Sequence, residues 1–222
     1  MNNPLNKAYK ILIVDDHPIF CLGMAELINR EPDLVVCGSE STAAEAWVAI
    51  KKHKPDLVIV DISLKESNGI DLVEEMKQAY PDLPALVLSM YDESLYAERA
   101  LVSGARGYIM KQKAIKQVVE ALRKVLAGDV YASQKIKDKV FNRLVSSGKS
   151  DDKSSLDKLT NRELEVFRLI GDGLESKEVA ERLNLSIKTV GTHRENIKEK
   201  FNLKHYTELV KFAVHWSQKM KK

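Results

Sequence analysis

Five side chains in this sequence combine into a reaction: Asp15, Asp16, Asp61, Ser89 and Lys111. Each closes or directly follows a short apolar run, KILIVD, DLVIVD, ALVLS or GYIM. Carboxylates gathered at one point repel one another and raise their own pKa values unless a cation joins them. Hard oxygen donors of this kind suit Mg²⁺, which keeps several waters and also binds phosphoryl oxygens. A carboxylate is itself a nucleophile toward phosphorus. A phosphoryl group in transfer then needs charge neutralisation and a hydrogen-bond donor. Lys111 would supply the first and the Ser89 hydroxyl the second. Taken singly, each residue has an ordinary explanation: Asp15 and Asp16 would cap a helix starting near residue 18, Asp61 would cap a turn, and Lys111 would be a solvated lysine. Their joint occurrence at four strand ends, in order, is what points to chemistry.

The elements that must position these groups can be read from the pattern. Strand-like runs at 10–15, 34–39, 56–61, 85–89 and 107–110 alternate with helical patterns near 18–30, 42–53, 70–80, 93–103 and 114–127. The strands are nearly continuous apolar runs, as in a parallel sheet covered by helices on both faces. Five such units predict an α/β doubly wound, five-stranded parallel sheet. Ligands of such sheets bind at the carboxyl ends of the strands, so the fold would place all five residues on one rim.

Beyond residue 128 the character changes. A charged amphipathic stretch, KIKDKVFNRLV, runs into the small, polar SSGKSDDKSS, and 129–155 reads as a linker. From Leu156 there is no strand signal, only helical segments near 161–171, 177–183, 187–201 and 206–218, an all-α four-helix unit over 156–218. Thr160 and Glu163 form a capping box. Gly171 and Gly173 would end the first helix, Ser176 would cap the second, Asn184 would take a left-handed turn, and Ser186 would cap the third. Two helices joined by a short turn, the second basic and polar, make a helix-turn-helix. On the third helix Val190, His193, Ile197 and Phe201 share a stripe that would face the core. Lys188, Gly191, Thr192, Glu195 and Glu199 lie opposite. His193 reads as a packed histidine, because no partner stands at metal-ligand spacing. The charge follows this division: residues 1–132 hold 15 Lys/Arg against 19 Asp/Glu, and residues 156–222 hold 14 against 10. An acidic first part suits cation and phosphate chemistry, and a basic last part suits nucleic acid.

Residues 8–128 resemble the receiver domain of two-component response regulators, through VDDHP at 14–18, VIVDISL at 58–64, NGIDL at 68–72, LVLSM at 86–90 and GYIMK at 107–111. The resemblance implies that Asp61 is the phosphoacceptor, and that Asp15, Asp16, Asp61 and the backbone carbonyl of Ser63 bind Mg²⁺. It makes Ser89 the switch hydroxyl, Tyr108 the switch aromatic and Lys111 the phosphate-binding lysine. Gln112 stands where proline is frequent. Residues 157–216 are similar to the helix-turn-helix domain of LuxR/NarL-type regulators, through LT-x-RE, KE-V-A, L-x-S-x-KTV and H-x-x-NI-x-x-K. That resemblance implies that the helix 187–200 enters the major groove and that the last helix contributes to dimerisation. Phosphate contacts are expected from Lys177, Lys188, Arg194, Lys198 and Lys204, and sequence readout from Thr192 with Lys188. Thr189, Gly191 and Glu195 complete the expected DNA surface. Glu195 would accept from cytosine or pair with Lys188 or Lys198, the second slightly favoured.

The function implied is a phosphorylation-controlled transcription regulator. Its expected partners are a sensor histidine kinase, double-stranded promoter DNA, a second copy when phosphorylated or DNA-bound, and RNA polymerase. An Asp-nucleophile phosphatase acting on external substrates competes with this reading, but the second half is a helical module rather than a substrate domain. Self-phosphorylation and self-dephosphorylation would be the only enzymatic acts. The first strand is followed by DDHPIF rather than a Gly-rich loop, which argues against a nucleotide-binding enzyme. RNA binding is disfavoured by the recognition helix. No apolar run approaches the ~20 residues of a membrane helix, and MNNPLNKAYK lacks a signal peptide's apolar stretch. A cytoplasmic protein without a membrane partner is expected, with Cys21 and Cys37 as reduced core residues.

Overall fold

The computed structural model describes residues 8–65, 67–145 and 155–220. The chain divides into two compact units, Met1–Ser147 and Gly148–Lys222.

The first unit is built on strands β1 (Tyr9–Val14), β2 (Leu34–Glu40), β3 (Leu57–Asp61), β6 (Ala85–Ser89) and β7 (Gly107–Met110). They form one sheet in the order β2-β1-β3-β6-β7, every neighbouring pair parallel. The five expected strands are all present, because each carries apolar residues toward both faces. Ile11, Ile13, Leu57, Ile59, Leu86 and Leu88 pack with Met24, Ile28, Ala114, Val118 and Leu122 of α1 (Pro18–Asn29) and α5 (Lys111–Leu126). Successive side chains on a strand point to opposite faces. Leu12, Val14, Val58, Val60 and Val87 are therefore buried on the other side, where α2 (Ala43–His53), α3 (Gly69–Ala79) and α4 (Glu93–Ser103) lie. Each fully buried Leu, Ile or Val contributes about 1.5–3 kcal/mol, so this double-sided core holds the strand ends that carry the site.

Three local findings differ from the expectation. A two-stranded hairpin, β4 (Ser63–Leu64) with β5 (Ser67–Asn68), follows β3 directly and is too short to leave a pattern. Helix α5 begins at Lys111 rather than near 114, so β7 passes into it without a loop, with Met110 at the cap position and a trans peptide after Lys111. The stretch 129–155 is not linker throughout. Residues Gln134–Val145 form a helix, α6, that belongs to the first unit. Ile136 is buried, Lys139 pairs with Glu98 of α4 at 2.6 Å, and Tyr131 bridges to Gly107 of β7. Phe141 and Val145, by contrast, stay exposed, and the charged composition concealed the helix. Most of SSGKSDDKSS lies outside the described residues.

The second unit holds a 3₁₀ turn (Ser155–Lys158) and helices α7 (Asn161–Gly171), α8 (Ser176–Arg182), α9 (Ile187–Phe201) and α10 (Tyr206–Met220). Its core centres on Phe167, which meets Phe201, Phe212 and Trp216 at ring distances of 6.0, 5.4 and 5.7 Å. Gly171 packs rather than caps: a Cβ there would stand 2.6 Å from the Ala213 carbonyl oxygen, so its bareness lets α7 and α10 close on each other. Gly173 and Asn184 take left-handed conformations, as expected.

Candidate functional site

The acidic cluster forms where β1 and β3 end side by side. Asp15, Asp61, Ser89 and Lys111 are all buried, at 3, 3, 1 and 6% exposure. Lys111 Nζ lies 2.6 Å from Asp15 Oδ2 and 2.7 Å from Asp61 Oδ2. Its ammonium also stands 4.6 Å above the Phe20 ring. Burial disfavours that ammonium, but Asp61 and Asp15 outweigh it and its pKa is raised. Asp61 moves the opposite way in charge. Burial is the largest cause, Lys111 opposes it, Asp15 reinforces it, and the carboxyl is pushed up to about 7.

Ligand atoms of Asp15, Asp16, His17 and Asp61 lie within 4.8 Å of one another. His17 Nδ1 is hydrogen-bonded to Asp15 Oδ1 at 3.0 Å. It also stands 2.8 Å from Asp16 Oδ1, out of hydrogen-bond alignment, so that buried oxygen has no hydrogen-bond partner. A buried, unpartnered carboxylate oxygen is costly without a cation or a water. One ammonium faces three carboxylates, which leaves charge for a divalent ion. Three of the four donors are hard carboxylate oxygens, with the His17 imidazole the fourth, so the carboxylates fit a Mg²⁺-like cation.

The backbone beneath Asp61 is held by glycine. A Cβ on Gly69 would fall 1.8 Å from the Asp61 carbonyl oxygen, and the Gly69 N–H donates to Ile62 at 2.7 Å. Asn68 caps α3 through Oδ1, which accepts from the Ile70 N–H at 2.9 Å. The hairpin returns Asn68 and Gly69 to the strand end and sets Ser63 two residues beyond Asp61. At the end of β6, Ser89 Oγ accepts from the Tyr91 N–H at 3.1 Å. Tyr108 is turned inward and buried, its hydroxyl donating to the Tyr91 carbonyl at 2.8 Å. Burial pushes its phenol above the ordinary range.

In the second unit, Val190 and Ile197 of α9 are fully buried while His193 and Phe201 are half-buried, which bears out the inward stripe. Burial holds His193 below the usual imidazole range. Lys177, Lys188, Thr192, Glu195 and Lys204 are exposed. Glu195 pairs with Lys198 at 2.7 Å. Thr189 joins the Ser186 cap through a hydroxyl contact of 2.8 Å, and Thr192 donates to the Lys188 carbonyl at 3.2 Å. A Cβ on Gly191 would meet nothing within 4 Å. Arg194, expected as a phosphate contact, also makes contacts within the unit. It donates to Ser176 Oγ at 2.6 Å and lies 3.6 Å over the Tyr206 ring, joining three helices. Ser176 therefore does not cap α8; Glu175 occupies the cap position, and its N–H is taken by the Glu178 carboxylate at 2.7 Å.

Comparison with known proteins follows this division of the chain. Residues 11–123 match the response regulator receiver domain, and residues 157–213 match the luxR family of bacterial regulatory proteins. The chain belongs to the LuxR-type response regulators. It is 35% identical to the oxygen regulatory protein NreC of Staphylococcus carnosus over 209 residues, covering 92% of this chain and 96% of that one. A solved LuxR-family response regulator from Aurantimonas covers 63% of this chain and 99% of its own, with 30% identity and a TM-score of 0.56. RcsB of Salmonella enterica serovar Typhimurium, solved bound to the promoter rprA with the phosphomimetic BeF3-, shares the fold at a TM-score of 0.59. It is 24% identical and covers 94% of this chain and 99% of its own.

As a response regulator, the chain brings Asp15, Asp16, Asp61 and Lys111 together at one point, with Ser89 at the end of the neighbouring strand and Tyr108 joined to it through Tyr91. Sequence reasoning passed over His17 and Phe20. Both stand in DDHPIF, and adjacency to the acidic pair was the signal for the first. It also passed over Tyr91 and Gly69, whose roles arise from contacts that no local pattern displays. Among the described residues no helix is long and apolar enough to cross a membrane.

Proposed function

We propose that this response regulator is switched by phosphorylation of Asp61 and that the switch governs binding of α9 to promoter DNA. The observation that carries the proposal is the buried Asp61 carboxylate, bonded to Lys111 and flanked by Asp15 and Asp16. A partner sensor histidine kinase is the donor. An Asp61 oxygen bonds to phosphorus as the phosphorus–nitrogen bond of the donor's phosphohistidine breaks, and the departing imidazole takes up a proton. Mg²⁺ held by Asp15, Asp16, Asp61 and the Ser63 carbonyl would neutralise charge on the phosphoryl oxygens. Lys111 exchanges its bond to Asp61 for one to a phosphoryl oxygen, and Ser89 donates to another. The modified side chain carries about −2 and strong acceptor oxygens, so it draws both groups inward. The chain thus acts on its own carboxylate and not on an external substrate.

Phosphorylation then shifts the population toward a form competent for DNA. Lys188 and Thr192, exposed on the outer face of α9, support readout there, with Lys177, Lys198 and Lys204 toward phosphates. The family resemblance supports α10 as a contact between two copies, two-fold half-sites, and a further contact with RNA polymerase. It also supports a cytoplasmic location.

The test is intact mass after incubation with Mg²⁺ and acetyl phosphate, wild type against Asp61→Asn, with DNA binding followed on the same samples. One phosphoryl group on wild type, none on the variant, and a rise in DNA affinity only with the modification are expected. Wild type that stays unmodified yet binds DNA as tightly would overturn the proposal.

A further inference from the structure

We infer that the His17 imidazole is a nitrogen ligand of the acidic site, so that the site takes a first-row transition cation of the Mn²⁺ to Zn²⁺ class in preference to Mg²⁺. The inference rests on the metal reading of the site given above and not on phosphorylation. His17 Nδ1 stands 3.0 Å from Asp15 Oδ1, 2.8 Å from Asp16 Oδ1 and 3.8 Å from Asp61 Oδ2. Donor atoms around one octahedral ion, with bonds of about 2.0–2.1 Å, lie about 2.9 Å apart along an edge and about 4.1 Å apart across the centre. The two short separations match edges, and the long one approaches a diagonal. Nδ1 and the three carboxylates therefore have the spacing of ligands to a single ion.

An imidazole beside carboxylates has an ordinary explanation, as a hydrogen-bonded counter-charge. Two observations go further. A hydrogen on Nδ1 serves one oxygen well, and here that oxygen is Asp15 Oδ1. Asp16 Oδ1 stays buried without a hydrogen bond although Nδ1 is its neighbour, whereas an ion is shared by both oxygens. Second, His17 is pinned where it stands. It holds the N-cap position of α1, yet its side chain makes no capping bond. Its backbone N–H donates to Asp15 Oδ1 at 3.0 Å, and Pro18 follows it. A residue before proline has few backbone conformations. The ring is thus held over the acidic pair, although the side chain is 59% exposed.

The choice of ion follows from the donor. Carboxylates and water suit Mg²⁺, whereas imidazole suits zinc, iron and nickel, and affinity for divalent first-row ions rises from Mn²⁺ onward at such mixed sites. Mg²⁺ keeps water in preference to shedding it, so the imidazole adds little to its binding. A transition cation gains a bond. In that bond Nδ1 carries no proton and the ring's proton sits on Nε2, so coordination exchanges the hydrogen bond to Asp15 for a bond to the ion.

The test uses the full chain without phosphodonor, titrated with MnCl₂ at one pH, with bound ion read by electron paramagnetic resonance. Mn²⁺ is the weakest binder of its series and so the sternest case. Mg²⁺ affinity is read by displacement of Mn²⁺. Wild type should hold Mn²⁺ more tightly than Mg²⁺ and show nitrogen modulation of the electron spin echo. Asp16→Asn should abolish Mn²⁺ binding, which ties the signal to this site; Mn²⁺ held undiminished by that variant would overturn the inference. Loss of a group that merely orients a ligand costs about 10–100-fold in metal affinity, so His17→Ala should weaken Mn²⁺ at least about tenfold, with Mg²⁺ changed less than about twofold. The nitrogen modulation should vanish with it. His17→Asn, which keeps a polar group at the cap position, gives the same readouts if the alanine variant loses stability. Bound Mn²⁺ without nitrogen modulation in wild type, or equal losses for the two cations, would overturn the ligand role while leaving the carboxylate site in place. Tighter binding of both cations to His17→Ala would overturn it too, and would make His17 a counter-charge that the ion displaces. Wild type that takes up neither cation would overturn the metal reading as well.

Discussion

Burial and Lys111 pull on Asp61 in opposite senses, and burial prevails: the carboxyl stands near 7 against an ordinary 3.8. The raised value has a stability consequence. Between these two pH values the folded, metal-free chain binds more protons than the unfolded one, so this group's contribution is complete below about 4 and is lost as pH rises toward about 7. A cation seated by Asp15, Asp16 and Asp61 needs them ionised and reverses that loss. Mg²⁺ should therefore raise the receiver's melting temperature more at about pH 8 than at about pH 5.5, as calorimetry would show. An equal shift at both pH values would mean that Asp61 does not take part in holding the ion.

Helix α9 separates into residues that hold it and residues left to face outward. Val190 and Ile197 are buried, and Arg194 spans from Ser176 to Tyr206, whereas Lys188 is exposed. A guanidinium stacked on an aromatic ring and bonded to a neighbouring helix is a structural group. Arg194→Ala should lower the stability of the second unit by about 1–3 kcal/mol. Lys188→Ala should leave stability unchanged but reduce the slope of log affinity against log salt by about 1. Denaturant melts and DNA titrations at several salt concentrations separate the two. If Arg194→Ala melts like wild type and flattens the salt slope, its role is phosphate contact after all.

At the scale of the molecule there are two cores, one around the five-stranded sheet and one around Phe167. Each closes on itself, with α6 completing the first. Units with separate cores unfold separately unless a large interface joins them. Heating the full chain should give two calorimetric transitions, and Mg²⁺ with BeF3- should move only one of them upward. A single transition that moves as a whole would show that the two units are energetically fused.

Much of this protein is written locally. Five apolar runs, four of them ending in Asp15, Asp61 or Ser89 or just before Lys111, specify both the parallel sheet and its reactive rim, because strand ends in that fold converge. The Thr160–Glu163 box and the stripe through Val190 and Ile197 specify α7 and the inward face of α9 in the same way. Capping and periodicity act within a few residues, so sequence alone determines them. What tertiary structure decided are contacts between positions far apart in the chain. Gly69 is bare because the Asp61 carbonyl lies against it, and Gly171 because α10 does. Arg194 lies over the Tyr206 ring. Residues 134–145, charged enough to pass for linker, become α6 once α4 offers a surface. Tyr91, with no pattern of its own, becomes the place where Ser63, Ser89 and Tyr108 meet. Such roles depend on which surfaces folding brings within a few ångströms, and no spacing in the sequence encodes that distance.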